Sequence, residues 1–139
     1  MDFMIERFVL ESGIMEEVLR LYESAGWANY VKKPEMLQNA LKNSFAALCA
    51  RVDGHLVGLI RAVGDGHSVL YVQDLLVLPE FRRMGIGSAL LHALDARYPN
   101  VYQKVLLTDG KIENGRFYES CGFMSASRIG CAAYVKMRI

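Results

Sequence analysis

A chain of 139 residues, 53% hydrophobic and 22% charged, has the length and balance of one folded domain, not of a disordered or fibrous chain. Its formal net charge of +1 provides no global field for nucleic acid or an anionic membrane, so neither partner is expected and any basic site must be local. No apolar run approaches the ~20 residues of a bilayer span, and the opening "MDFMIERFVLESG" lacks the order of a secretory signal, which points to a cytoplasmic location.

Residues 3–9 read as a first strand. Ser12 offers an N-cap for a helix whose apolar face is Ile14, Val18, Leu21, Tyr22 and Ala25, with Glu16, Glu17, Arg20 and Glu23 opposite. The stretch "AGWANYVKK" breaks that period. Pro34 then suits the first position of a second helix, with Met36, Leu37, Ala40 and Leu41 as its stripe. "FAALCARV" and "HLVGLIRAV" flank Asp53-Gly54, the signal for a two-residue hairpin. After the turn "GDGH", the run "SVLYVQDLLVL" reads as a central strand covered on both faces and ending at Pro79.

A helix follows over residues 85–97, with Ile86, Ala89, Leu90, Ala93 and Leu94 on its buried side. "KVLLT" reads as a short buried strand, residues 113–121 as a short helix stopped by Gly122, and "CAAYVKMRI" as a last strand. The order β-α-α-β-β-β-α-β-α-β implies an α/β or α+β fold with a mixed sheet, residues 1–139 forming a single domain. Cys49, Cys121 and Cys131 read as buried or partly buried free thiols. Neither they nor the three scattered histidines show ligand spacing, so no metal is expected.

The segment "PEFRRMGIGSALLHAL" carries more than a plain connection needs. A Walker A loop requires Lys-Ser or Lys-Thr after its last glycine, whereas Gly87 is followed by Ser88-Ala89. The dinucleotide fingerprint requires a third glycine where this chain has Leu90. A coenzyme A pyrophosphate remains: a helix start offers unpaired N–H groups, glycines allow close approach, and Arg82 and Arg83 add charge-assisted contacts. A tight turn with two solvated arginines fits the same residues.

Arg82-Arg83-Met84-Gly85-Ile86-Gly87 matches the Arg/Gln-x-x-Gly-x-Gly/Ala loop of the GCN5-related N-acetyltransferases, and "LLVLPEFRRMGIG" is similar to their strand, turn and loop in order. "FYESCGF" matches a second motif, and the resemblance covers roughly residues 54–123. The arrangement is especially similar to small bacterial members and plant serotonin N-acetyltransferase-like proteins. The first fifty residues match only loosely.

The resemblance implies a mostly antiparallel sheet flanked by helices, with a splayed central strand pair as the acetyl-CoA cleft. Acetyl-CoA would be the acetyl donor, held by Arg82, Arg83, Met84, Gly85, Ile86, Gly87 and Ser88, and by free backbone at Leu75, Leu76 and Val77. Phe117 and, more distantly from the family pattern, Asn114 would touch it. Asn114 can equally cap the short helix. Tyr118 stands where the family places its general acid, or else is a packing aromatic. Asp74 or Gln73 would act as base or hold a water. Strand alternation puts these two on opposite faces unless a bulge intervenes, and Asp74 also suits a structural acceptor. Trp27 and Tyr30 can wall an acceptor pocket or belong to the core. Cys121 reads as a packing thiol, which favours direct transfer in a ternary complex over a ping-pong scheme. The resemblance thus implies an N-acetyltransferase acting on the primary amine of a small molecule. A peptide or protein N-acetyltransferase, or a non-catalytic acyl-CoA-binding module, are the alternatives. A homodimer is common in the family, but nothing in the sequence identifies an interface.

Overall fold

The computed structural model describes residues 2–138. Two compact units are described in turn, one running to Leu106 and one starting at Leu107.

The first unit comprises β1 (Met4–Arg7), α1 (Ile14–Ser24), α2 (Ala28–Val31), α3 (Pro34–Lys42), β2 (Ala46–Val52), β3 (His55–Gly64), β4 (Val69–Val77), α4 (Ile86–Arg97) and β5 (Gln103–Leu106). Among the described residues the strands form one five-stranded sheet in the order β1-β2-β3-β4-β5. Every neighbouring pair is antiparallel except β4–β5, which is parallel and joined through α4. The β2–β3 hairpin closes where expected. Asp53 and Gly54 have φ of 49° and 80°, the left-handed pair that matches strand twist.

Each face of the sheet has its own cover. Ile14, Val18, Leu21 and Tyr22 of α1 and Leu37 and Leu41 of α3 form one core with Phe8, Cys49, Leu56, Leu59 and Leu76. The next residue along β3 from Leu59 is Gly58, and its missing side chain faces Ile86 and Leu90 of α4. Neighbouring strand residues point to opposite faces, so α4 covers the other side.

Several local expectations need correction. Ser12 does not cap α1: Gly13, at φ 83°, makes the entry with no side-chain bond. "AGWANYVKK" contains the single turn α2, which has no buried residue and so no apolar stripe to betray it. Met36 is 45% exposed while Leu37 is fully buried, so the α3 stripe is narrower than its pattern. In α4 the buried set includes Leu91, and Ala89 and Ala93 are only half-buried. β5 is not a buried strand either, since Val105 stands 39% exposed at the sheet margin.

The second unit contains α5 (Ile112–Ser120), closed by Gly122 at φ 94° as its position suggested. The last strand is absent: residues 131–138 form no ladder, and Tyr134 is 95% exposed. Alternating apolar residues there carry strand propensity, but propensity without a hydrogen-bonded neighbour makes no strand. Ile139, which the expected strand included, lies outside the described residues. Cys49 is buried and Cys121 partly buried, whereas Cys131, in this tail, is exposed, contrary to expectation.

Candidate active site

The β3–β4 register pairs Arg61 with Asp74 and Ala62 with Val72, leaving Gln73 as an extra residue on β4. This bulge cancels strict alternation. The Tyr22 hydroxyl donates to Asp74 Oδ2 at 2.6 Å, and the Gln73 carboxamide Nε2 donates to the Tyr30 hydroxyl at 3.4 Å. The rings of Tyr22 and Tyr30 lie 5.2 Å apart, so Gln73 and Asp74 reach the same aromatic group. Trp27 completes it, 5.9 Å from Tyr22 and 6.1 Å from Tyr30. Trp27 and Tyr30 are half-buried, with a face against the core and a face outward.

Asp74 is 1% exposed and Arg61 5%. Arg61 Nε donates to Asp74 Oδ2 at 2.7 Å. Burial works to lower the Arg61 guanidinium, but the adjacent Asp74 carboxylate outweighs it and holds the group above its ordinary range. Burial, then the Asp74 charge, pushes the Tyr22 phenol well above the usual tyrosine value. Gln73 is exposed, on the solvent side of the same cluster.

Strand β5 accompanies β4 only from Val69↔Gln103 to Val72↔Leu106. Residues 73–77 run on without it, so Leu75, Leu76 and Val77 keep one backbone edge with no strand beside it among the described residues. Peptide groups on such an edge need a partner, whether water or the amides of an extended ligand.

At the end of β4 the chain makes one tight turn, Pro79–Phe81, and enters the loop. Arg82 is extended, its Nε 3.4 Å from the Val77 carbonyl that accepts from it. Arg83 has φ 64° and Gly85 φ 83°. A left-handed arginine costs roughly 1–2 kcal/mol, so the turn holds a conformation its own sequence disfavours. Helix α4 starts at Ile86 with no side-chain cap and no acid in its first turn. Its first bond runs from Ala89 N–H to the Gly85 carbonyl at 2.9 Å. The N–H groups of Ile86, Gly87 and Ser88 therefore precede the ladder, at the positive end of the helix dipole. Ile86, 1% exposed, anchors this turn on Gly58, while Arg82 and Arg83 are exposed and Met84 half-buried. Unpaired N–H groups with two exposed arginines beside them are an arrangement that suits an anion.

In the second unit Tyr118 is half-buried, its ring 5.1 Å from Phe117 and 5.9 Å from Phe123. Burial, then the Cys121 thiol and Asp109, push its phenol upward. Asp109 accepts from Lys111 N–H at 3.0 Å and from Asn114 Nδ2 at 2.7 Å, contacts that hold its carboxyl below the usual range. Asn114 thus serves the start of α5. Arg61 and Asp109 escaped the sequence reading, although a lone arginine inside the apolar "GLIRAVG" was a visible signal. Among the described residues no three His, Cys, Asp or Glu side chains group as metal ligands.

Comparison with known proteins agrees with this geometry. The model of the acetyltransferase (GNAT) domain matches residues 43–125, from before β2 to just past α5. An uncharacterized N-acetyltransferase of Pyropia yezoensis is 28% identical over 113 residues, covering 78% of this chain and 63% of that protein. This chain therefore spans less than two thirds of that relative's length. A GNAT-family acetyltransferase structure from Streptococcus pneumoniae is 37% identical, covers 99% of this chain and 98% of its own, and superposes with a TM-score of 0.87. The PaiA N-acetyltransferase of Thermoplasma acidophilum, solved in complex with coenzyme A, shares the fold at 17% identity and a TM-score of 0.72 over 86% of this chain and 88% of that one. With the strand, loop and helix that carried the resemblance all in place, the chain belongs to the GCN5-related N-acetyltransferase (GNAT) family.

Proposed function

We propose that residues 1–139 form one cytoplasmic N-acetyltransferase domain, which moves an acetyl group from acetyl-CoA to the primary amine of a small molecule by direct attack in a ternary complex. The observation that carries this reading is the uncapped, arginine-flanked start of α4 immediately after a β4 edge left unpaired past Val72. The two features suit the two parts of one ligand. Arg82, Arg83 and the N–H groups of Ile86, Gly87 and Ser88 take the pyrophosphate, while backbone at Leu75, Leu76 and Val77 pairs the amides of the pantetheine arm. Met84, Gly85 and Phe117 complete the contacts.

Acetyl-CoA supplies an acetyl group already activated as a thioester. Tyr118 Oη, its pKa raised by burial, keeps its proton through neutral pH and gives it to the departing sulfur. An amine must shed a proton before attack, since a lysine-like ammonium titrates near ~10.4. Gln73 cannot take that proton, but its exposed carboxamide and the Tyr30 hydroxyl hold a water that can. Asp74 is sealed beneath them, which suits support better than proton exchange. Trp27 and Tyr30 give the acceptor an aromatic wall, fitting an amine with an apolar or aromatic body.

Thiol release from acetyl-CoA over a panel of arylalkylamines, polyamines, aminosugars, amino acids and short peptides tests this, with wild type and Tyr118→Phe. Turnover concentrated in small apolar amines and strongly reduced in the variant is expected. Turnover only with peptides would move the acceptor to the protein class. Acetyl-CoA binding without turnover of any class would leave a binding module.

A further inference from the structure

Beneath the bulge lies a buried charge pair that acetyl transfer does not itself require. Arg61 and Asp74 are cross-strand partners, and the next pair, Ala62↔Val72, is already shifted. The ion pair therefore sits on the step in the register. Both residues are buried, and removing two charges from water is costly enough that an apolar pair of similar volume is commonly as stable or more so. Their hydrogen bonding is also lopsided. Asp74 Oδ2 accepts from both Arg61 Nε and the Tyr22 hydroxyl, while Oδ1, fully buried, has no partner among the described residues.

Register is what the pair does specify. Sliding β4 by one residue would set Gln73 or Leu75 opposite Arg61 and strand a guanidinium in the interior. The contacts then close a ring. Gln73, the extruded residue, bonds Tyr30, Tyr30 packs on Tyr22, and the Tyr22 hydroxyl returns to Asp74.

We propose that Arg61, Asp74 and Tyr22 are positioning residues that lock the β4 bulge in a single register, so that the Gln73 carboxamide and the free edge at Leu75, Leu76 and Val77 keep acceptor and donor aligned. The kinetic consequence rests on the acetyltransferase reading above. The structural consequence does not.

The test uses the triple variant Tyr22→Phe/Arg61→Met/Asp74→Leu, which removes hydroxyl and charges while keeping volume. It is expected to fold with a melting temperature near wild type. Its kcat/KM for the amine falls by about a hundredfold, because small misplacements at a reacting centre are that costly. Amide hydrogen exchange at residues 73–77 quickens as alternative registers open, and this readout on the ligand-free protein needs no turnover. Should the triple variant fail to fold, Tyr22→Phe alone carries the exchange test. A cycle with Gln73→Ala then adds the kinetic one, where the two effects on kcat are expected to be non-additive. Wild-type exchange at residues 73–77 in the folded variant, or additive effects of Tyr22→Phe and Gln73→Ala, would overturn the proposal. Absence of turnover in wild type, with quickened exchange in the variant, would sink the acetyltransferase reading and keep the register lock.

Discussion

The start of α4 can be moved without substituting any residue of the proposed anion site. A β-carbon built on Gly58 would lie 3.1 Å from Ile86 Cγ2 and 3.3 Å from both Leu90 Cδ1 and the Leu76 carbonyl oxygen. Ile86 is the first helical residue and is fully buried, so it has little room to yield. Gly58→Ala requires the neighbours to give by a few tenths of an ångström. Gly58→Val adds two further methyl groups beyond that β-carbon to a closed space, and overpacking of this kind costs about 1–3 kcal/mol. For a chain of this size each kcal/mol is worth roughly 3–5 °C, so a loss on the order of 3–15 °C is expected. The displaced helix turn carries the N–H groups of Ile86, Gly87 and Ser88, so acetyl-CoA affinity should weaken by about tenfold, equivalent to ~1.4 kcal/mol. Differential scanning calorimetry and isothermal titration on wild type, Gly58→Ala and Gly58→Val give a graded series. Unchanged melting in the valine variant would refute close packing at Gly58. Reduced melting with wild-type affinity would refute the link between that packing and the anion site.

Arg83 holds a left-handed backbone at φ 64°, so Arg83→Gly should relieve about 1 kcal/mol of strain and raise the melting temperature while weakening acetyl-CoA binding, both readable in one thermal-shift titration. Burial pushes the Cys49 thiol up to about 11, so iodoacetamide at neutral pH should label Cys131 quickly and Cys49 only after denaturation, as followed by intact mass. The raised Tyr118 phenol stays protonated up to beyond the ordinary tyrosine value, so if it is the proposed proton donor the alkaline fall in kcat should lie above pH ~10. Tyr118→Phe should lower kcat by roughly 10²–10⁴ and abolish that fall in a pH–rate profile.

The sequence was most legible where local chemistry and tertiary demand coincide. Asp53-Gly54, Pro34 and Gly122 each need a backbone geometry that those residue types supply, and all three mark their elements correctly. The strand, loop and helix from Val69 to Arg97 were equally plain, because an apolar run, a proline and two glycines leave few alternatives. Tertiary facts were hidden. The bulge at Gln73 arises from a partner on β3 thirteen residues away in sequence, as the Arg61–Asp74 bond is, and no period along β4 alone reports it. Helix α2 has no buried residue and hence no stripe. The expected last strand failed for the converse reason: residues 131–138 have the alternation, but a ladder needs a second strand.

The most direct measurement is a calorimetric titration of acetyl-CoA into wild type and Gly87→Glu. The substitution sets a carboxylate at the first turn of α4, where the structure offers N–H groups and no acid. One-to-one binding to wild type, weakened by tenfold or more in a variant that still folds, is the predicted result. Equal affinity for both proteins would contradict the assignment of this helix start as the pyrophosphate site.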